Sequence, residues 1–83
     1  MDTISVSVQI AGRDYTLSSS GSAEQTQRVA ALVDRKMREL MASGVAGRES
    51  AAVLAALTYA EALIQSEDDN ARLRRRLDEA ASR

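Results

Sequence analysis

From about residue 48 to residue 82 the chain contains nothing that would end a helix. The stretch RESAAVLAALTYAEALIQSEDDNARLRRRLDEAAS has neither proline nor glycine, and the whole protein lacks proline. As one helix, at roughly 1.5 Å per residue, it is about 50 Å long. A compact domain of 83 residues has a radius of gyration of only about 12 Å. The helix must therefore project beyond any head its own chain can build, and its apolar positions must find cover elsewhere.

Those positions fall on two adjoining faces in the first half of the helix. Val53, Leu57, Ala60 and Ile64 form one, which ends near Ala71. Ala56, Tyr59 and Leu63 form the other, which continues as Ser66, Asn70, Leu73, Leu77 and Ala80 in alternating steps of three and four. This is an a/d heptad seam with Ala56, Leu63, Asn70 and Leu77 at a, where an asparagine weakens a coiled coil but fixes its register and strand number. The economical arrangement has the first face covering the chain's own head and the second meeting another subunit. With Ser66 and Asn70 inside it the seam is weak, so the head is expected to contribute to the interface. The basic run RLRRR (72–76) is flanked by Glu67, Asp68, Asp69, Asp78 and Glu79. In a parallel pair Asp69 at g would meet Arg74 at e of the partner, so the run reads as helix surface and interhelical pairing.

The head has its own signals. In ISVSVQI (4–10), Ile4, Val6, Val8 and Ile10 alternate with polar residues, the pattern of a strand with one buried face. AGRD and YTLS follow. With Gly12 and Arg13 as the central residues of a type II′ turn, Ile10 falls opposite Tyr15 and Val8 opposite Leu17, all on one face. A two-stranded hairpin alone is marginal, so that face must lie on something. SSSGS (18–22) breaks the pattern, and Ser22 with Gln25 fits a capping box. A first helix is predicted from about 23 to 42, stopping at Gly44. Opposite charges four apart decorate it: Glu24 with Arg28, Asp34 with Arg38, Arg35 with Glu39. Val29, Leu32, Val33, Met37 and Leu40 share its apolar stripe, and Lys36, the only lysine, falls inside it. Either the Lys36 stem covers apolar surface while its amine reaches the edge, or it pairs with an acidic group of the second helix or of a dimer partner.

Composition narrows the function. Without Cys or His there is no disulfide, no thiolate metal site and no imidazole base. SSSGS offers serines but only Lys36 as a base, with no evident oxyanion loop. Asp68–Asp69 has no third metal ligand at helical spacing, and the glycines match no phosphate-cradling motif. No enzyme and no cofactor is expected. A formal net charge of −1 and the missing aromatic neighbours of RLRRR argue against a nucleic-acid partner. The N-terminus shows no signal-peptide pattern, and AAVLAAL (51–57) is too short to span a bilayer. A soluble, cytoplasmic protein with no membrane partner is expected, and oligomerisation is the remaining source of buried area for so small a chain.

VSVQIAGRDYTL (6–17), VAALVDRKMREL (29–40) and AVLAALTYAEAL (52–63), in that order and spacing, resemble the short form of the bacterial cell-division ZapA family, over nearly the whole length. The low aromatic content and the arginine-rich tail depart from the family's pattern. The resemblance implies an α+β, mostly helical fold: an N-terminal two-stranded antiparallel hairpin, a first helix, then a long C-terminal helix forming a coiled coil in a homo-oligomer. It implies a globular head over 1–57, with the hairpin at 3–18, a helix at 22–43 and the second helix starting near 48. A coiled-coil part would follow over 58–83. It further implies homodimers that associate into tetramers, and a non-enzymatic partner of the tubulin-like protein FtsZ that cross-links or bundles its filaments at the midcell division ring. On that reading the FtsZ-binding candidates are Arg13, Arg35, Arg38, Arg48 and Glu49. The oligomer interface would be Ala56, Tyr59, Leu63, Ser66, Asn70, Leu73, Leu77 and Ala80. The competing reading is a generic dimeric coiled-coil adaptor with another protein partner, which would have little use for the hairpin.

Overall fold

A computed structural model describes residues 3–82. The first two residues of the expected head and the last of the expected coiled-coil segment lie outside them. The order is β1 (Ile4–Ile10), β2 (Arg13–Ser19), α1 (Ala23–Ala42) and α2 (Arg48–Ala81). The two strands pair antiparallel and form the one sheet among the described residues.

The helix ends follow local chemistry. Ser22 caps α1, its hydroxyl accepting the Gln25 N–H at 3.0 Å. At the other end the Gly44 N–H donates to the Met41 carbonyl and the Val45 N–H to that of Leu40. That pair of bonds is a Schellman motif, with Gly44 at φ 112 and Val45 packed with Leu40 at the core's edge. The short connection turns the chain back, so α2 runs against α1 before leaving the head. Its 34 residues stretch the molecule to 55 Å along its longest axis, with a radius of gyration of 17.6 Å.

The core is small and aliphatic. Met37, Ala51, Ala55 and Ala11 make one cluster, edged by Ile10, Val33, Leu40 and Val45. Val6, Val8 and Ala30 make a second, and Ile10 packs against both. The hairpin therefore lies on α1 through β1, while Tyr15 and Leu17 of β2 stay open to solvent at 41% and 36% exposure.

Three expectations are corrected. The hairpin turn is Ala11–Gly12, not Gly12–Arg13, and the register pairs Ile10 with Arg13, Val8 with Tyr15 and Val6 with Leu17. On α2 the face that packs on the head is Ala51 and Ala55, while Val53, Leu57 and Ile64 remain exposed. Small side chains let α1 and α2 approach closely, and that is the face the head takes. The apolar stripe of α1 also divides: Met37 is buried and Val33 and Leu40 half-buried, but Val29 and Leu32 are exposed.

Candidate functional site at the hairpin turn

The two-residue turn has φ of 51 at Ala11 and 81 at Gly12, the left-handed pair that defines a type I′ hairpin. Alanine avoids this region, because its Cβ crowds the backbone. Both of its backbone polar groups are held by side chains from the helices. The Ala11 N–H donates to Asp34 Oδ1 of α1 at 2.8 Å. The Ala11 carbonyl accepts from Arg48 at the start of α2, from Nε at 3.0 Å and from Nη2 at 2.7 Å. The turn is thus clamped between two charged groups on two different helices.

Asp34 carries a second load. Its Oδ2 accepts from Arg38 Nε at 3.0 Å and lies 2.9 Å from Arg38 Nη2. The backbone bond from Ala11 holds the Asp34 carboxyl below its ordinary value of 3.8, helped by Arg38 and opposed by partial desolvation. A carboxyl depressed in the folded state adds stability above its unfolded pKa and loses it as pH falls through the lower folded value. The head should therefore lose thermal stability below about pH 4, and Asp34→Asn should flatten that acid limb. Melting curves between neutral pH and pH ~2.5 check this, with a parallel decline in both proteins as the contrary result.

An open cleft of about 540 Å³ lies beside the turn, between the hairpin, α1 and α2. Its walls include Tyr15, Leu17, Met37 and Ala52, and three of the expected partner-binding residues, Arg13, Arg48 and Glu49, meet on it. Arg35 and Arg38 do not line it. They lie with Arg28, Ala31, Leu32 and Asp34 on another side of α1, where Arg35 pairs loosely with Glu39 at 3.8 Å and Arg38 pairs with Asp34. Arg48, named above as a partner-binding candidate, has its guanidinium bonded to the Ala11 carbonyl. The reading of the sequence missed Asp34 as a turn ligand and treated it only as a helix-surface partner of Arg38. No local signal marks the bond, which spans 23 residues.

Lys36 sits with its side chain 28% exposed and its Nζ 3.1 Å from Glu39 Oε2. Its stem is largely covered and its amine reaches an acid of its own helix, rather than one of α2. On the projecting helix, Tyr59 is half-buried and its hydroxyl donates to the Leu32 carbonyl at 2.8 Å, which ties α2 to α1. The rest of the expected seam (Ala56, Leu63, Ser66, Asn70, Leu73, Leu77 and Ala80) is exposed in the protomer. Asp69 pairs with Arg72 on the same helix. Among the described residues no cluster of three or more His, Cys, Asp or Glu could hold a metal ion. None of their helices is long and apolar enough to cross a membrane.

A family model described as "Cell division protein ZapA" matches residues 6–83. Among solved structures, a ZapA mutant dimer from Geobacillus stearothermophilus superposes with a TM-score of 0.74 at 33% identity, covering 94% of this chain and 92% of that one. A conserved bacterial protein of unknown function from Pseudomonas aeruginosa PAO1 superposes with a TM-score of 0.64 at 28% identity, over 100% of both chains. No curated protein matches. The hairpin, the two helices and their order are shared along nearly the whole length, and the chain belongs to the ZapA family of cell-division proteins.

Proposed function

We propose that this chain binds FtsZ and cross-links or bundles its filaments, supporting the division ring at midcell in the cytoplasm. The carrying observation is the combination of a small head with a projecting helix whose leucines, Leu63, Leu73 and Leu77, are 59%, 55% and 69% exposed. Such a helix adds little to its own chain's core. It becomes useful when a second copy covers it, and a homodimer or tetramer of heads can then hold neighbouring filaments by repeated weak contacts. Residues 1–57 would act as the partner-binding head and 58–83 as the assembly segment. The seam from Ala56 to Ala80 would be the contact between copies, with Tyr59 serving both the head and that contact.

Within the head, the cleft beside the hairpin turn is the favoured FtsZ contact. It is apolar at its base and carries Arg13 and Glu49 on its walls, a mixture typical of an interface centre with a charged edge. Arg35 and Arg38 form a second, flanking charged strip. Arg48 acts there by holding the turn. Arg13→Ala and Glu49→Ala should each weaken filament co-sedimentation by about tenfold if they sit near the centre of the contact. Size-exclusion profiles should stay those of the intact oligomer. Unchanged pelleting by both variants would remove the cleft from the contact.

A further inference from the structure

We propose that Asp34 and Arg48 select the register of the β1–β2 hairpin, and that without them the hairpin moves by two residues into a second register written in the same sequence. The second register is the one with Gly12 and Arg13 in a type II′ turn, Ile10 opposite Tyr15 and Val8 opposite Leu17. A slip of two residues preserves the alternation of faces. Ile4, Val6, Val8, Ile10, Tyr15 and Leu17 therefore share a face in both registers, so the alternation alone does not choose between them. Hydrogen-bonded and non-hydrogen-bonded positions exchange, however. With that face kept on α1, the second register would set β2 along the other edge of β1.

Local turn chemistry favours the register that is not seen. A type II′ turn needs a positive φ only at its first central residue, which would be Gly12. The observed type I′ turn needs it at both, and so places Ala11 at φ 51. Something outside the hairpin must reverse that preference, and the groups that do so are the ones bound to Ala11. In the second register Ala11 becomes the residue flanking the turn, directly opposite Asp14. Its N–H and carbonyl would then be exchanged with Asp14 in the strand ladder. Its single N–H proton would be committed to Asp14 and its carbonyl turned toward β2, so the present bonds to Asp34 and Arg48 would be given up. The clamp thus binds one register and excludes the other, as a group that shifts an equilibrium must. Burial works with it: Ala11 is 9% exposed and packs with Met37, Ala51 and Ala55.

The choice sets where Arg13 stands. In the observed register it is the first residue of β2, opposite Ile10; in the other it would be carried into the turn. The register lock holds whether or not Arg13 touches a partner, so a failure of the FtsZ reading leaves it standing.

Interstrand Hα–Hα contacts in the NMR spectrum of the full chain distinguish the registers, because only non-hydrogen-bonded pairs bring these protons close. The parent protein should show contacts for Ser7–Thr16 and Gln9–Asp14. In Asp34→Ala/Arg48→Ala, contacts for Val8–Leu17 and Ile10–Tyr15 should appear, alone or beside the first set. Retention of the first set alone would overturn the proposal. If the double variant does not fold, Ala11→Asn added to it decides, since Asn-Gly is the strongest type I′ pair. Recovery of a folded hairpin with the Ser7–Thr16 and Gln9–Asp14 contacts supports the lock. A triple variant that stays unfolded overturns it, because the clamp would then serve packing rather than the turn.

Discussion

Replacing Met37 by alanine should cost the head about 3 kcal/mol, the middle of the range for truncating a buried Met, Leu or Ile. Met37 is 3% exposed and is the only large side chain in a cluster otherwise made of Ala11, Ala51 and Ala55. Ala11 sits in the hairpin turn and Ala51 and Ala55 on α2. None of the three has a side chain long enough to reach into the space, so filling it is left to partial relaxation of Ile10, Val33, Leu40 and Val45 at the edge. For a domain of this size each kcal/mol moves the melting temperature by roughly 5 °C, so a fall of about 15 °C is expected. The effect should reach beyond α1. Met37 also lies along the cleft with Arg13, Arg48 and Glu49, so the hairpin turn should loosen with the core. Thermal melts followed by circular dichroism check the first part. A shift of less than about 4 °C would mean that the head is held together elsewhere.

The second large effect concerns assembly. Leu73 and Leu77 are exposed in the protomer and lie on the part of α2 that extends past the head. Leu73→Asp/Leu77→Asp should therefore leave the head's own packing intact and act on association between copies. Burying one leucine is worth about 1.5 kcal/mol at the low end. Two leucines in each of two copies amount to about 6 kcal/mol, or roughly four orders of magnitude in Kd. Sedimentation velocity across a dilution series should show the parent as an oligomer and the variant shifted strongly toward the monomer. An unchanged sedimentation profile would place the interface on another face of α2, and the Val53, Leu57, Ala60 and Ile64 stripe would be next in order.

The elements of this fold were legible because their signals are local. Ser22 caps α1 through a residue three positions on, and Gly44 closes it through bonds reaching no further than Leu40 and Met41. The length of α2 followed from the absence of any residue able to stop it. The hairpin was legible as a hairpin but not in its register, because either two-residue turn gathers the same apolar residues on one face of the hairpin. The groups that settle the register come from 23 and 37 residues away. The bond from Arg48 was hidden for the same reason: at the start of a helix an arginine reads as surface charge, and nothing nearby marks a carbonyl waiting for it. On α2 the larger apolar residues drew attention to the Val53–Leu57 stripe. The head instead takes Ala51 and Ala55, 0% and 1% exposed, because close helix contact rewards small side chains. That choice leaves the Val53–Leu57 stripe and the leucines of the heptad seam exposed together in the protomer.

Whether this member of the ZapA family joins FtsZ filaments, as proposed above, is read out by right-angle light scattering of FtsZ with GTP as the purified chain is titrated in. The concentrations should span those at which it oligomerises. Scattering should rise with the oligomer, and the rise should be lost in Leu73→Asp/Leu77→Asp while that variant keeps a folded head. No rise with the parent chain at any concentration that supports oligomerisation would contradict the proposal.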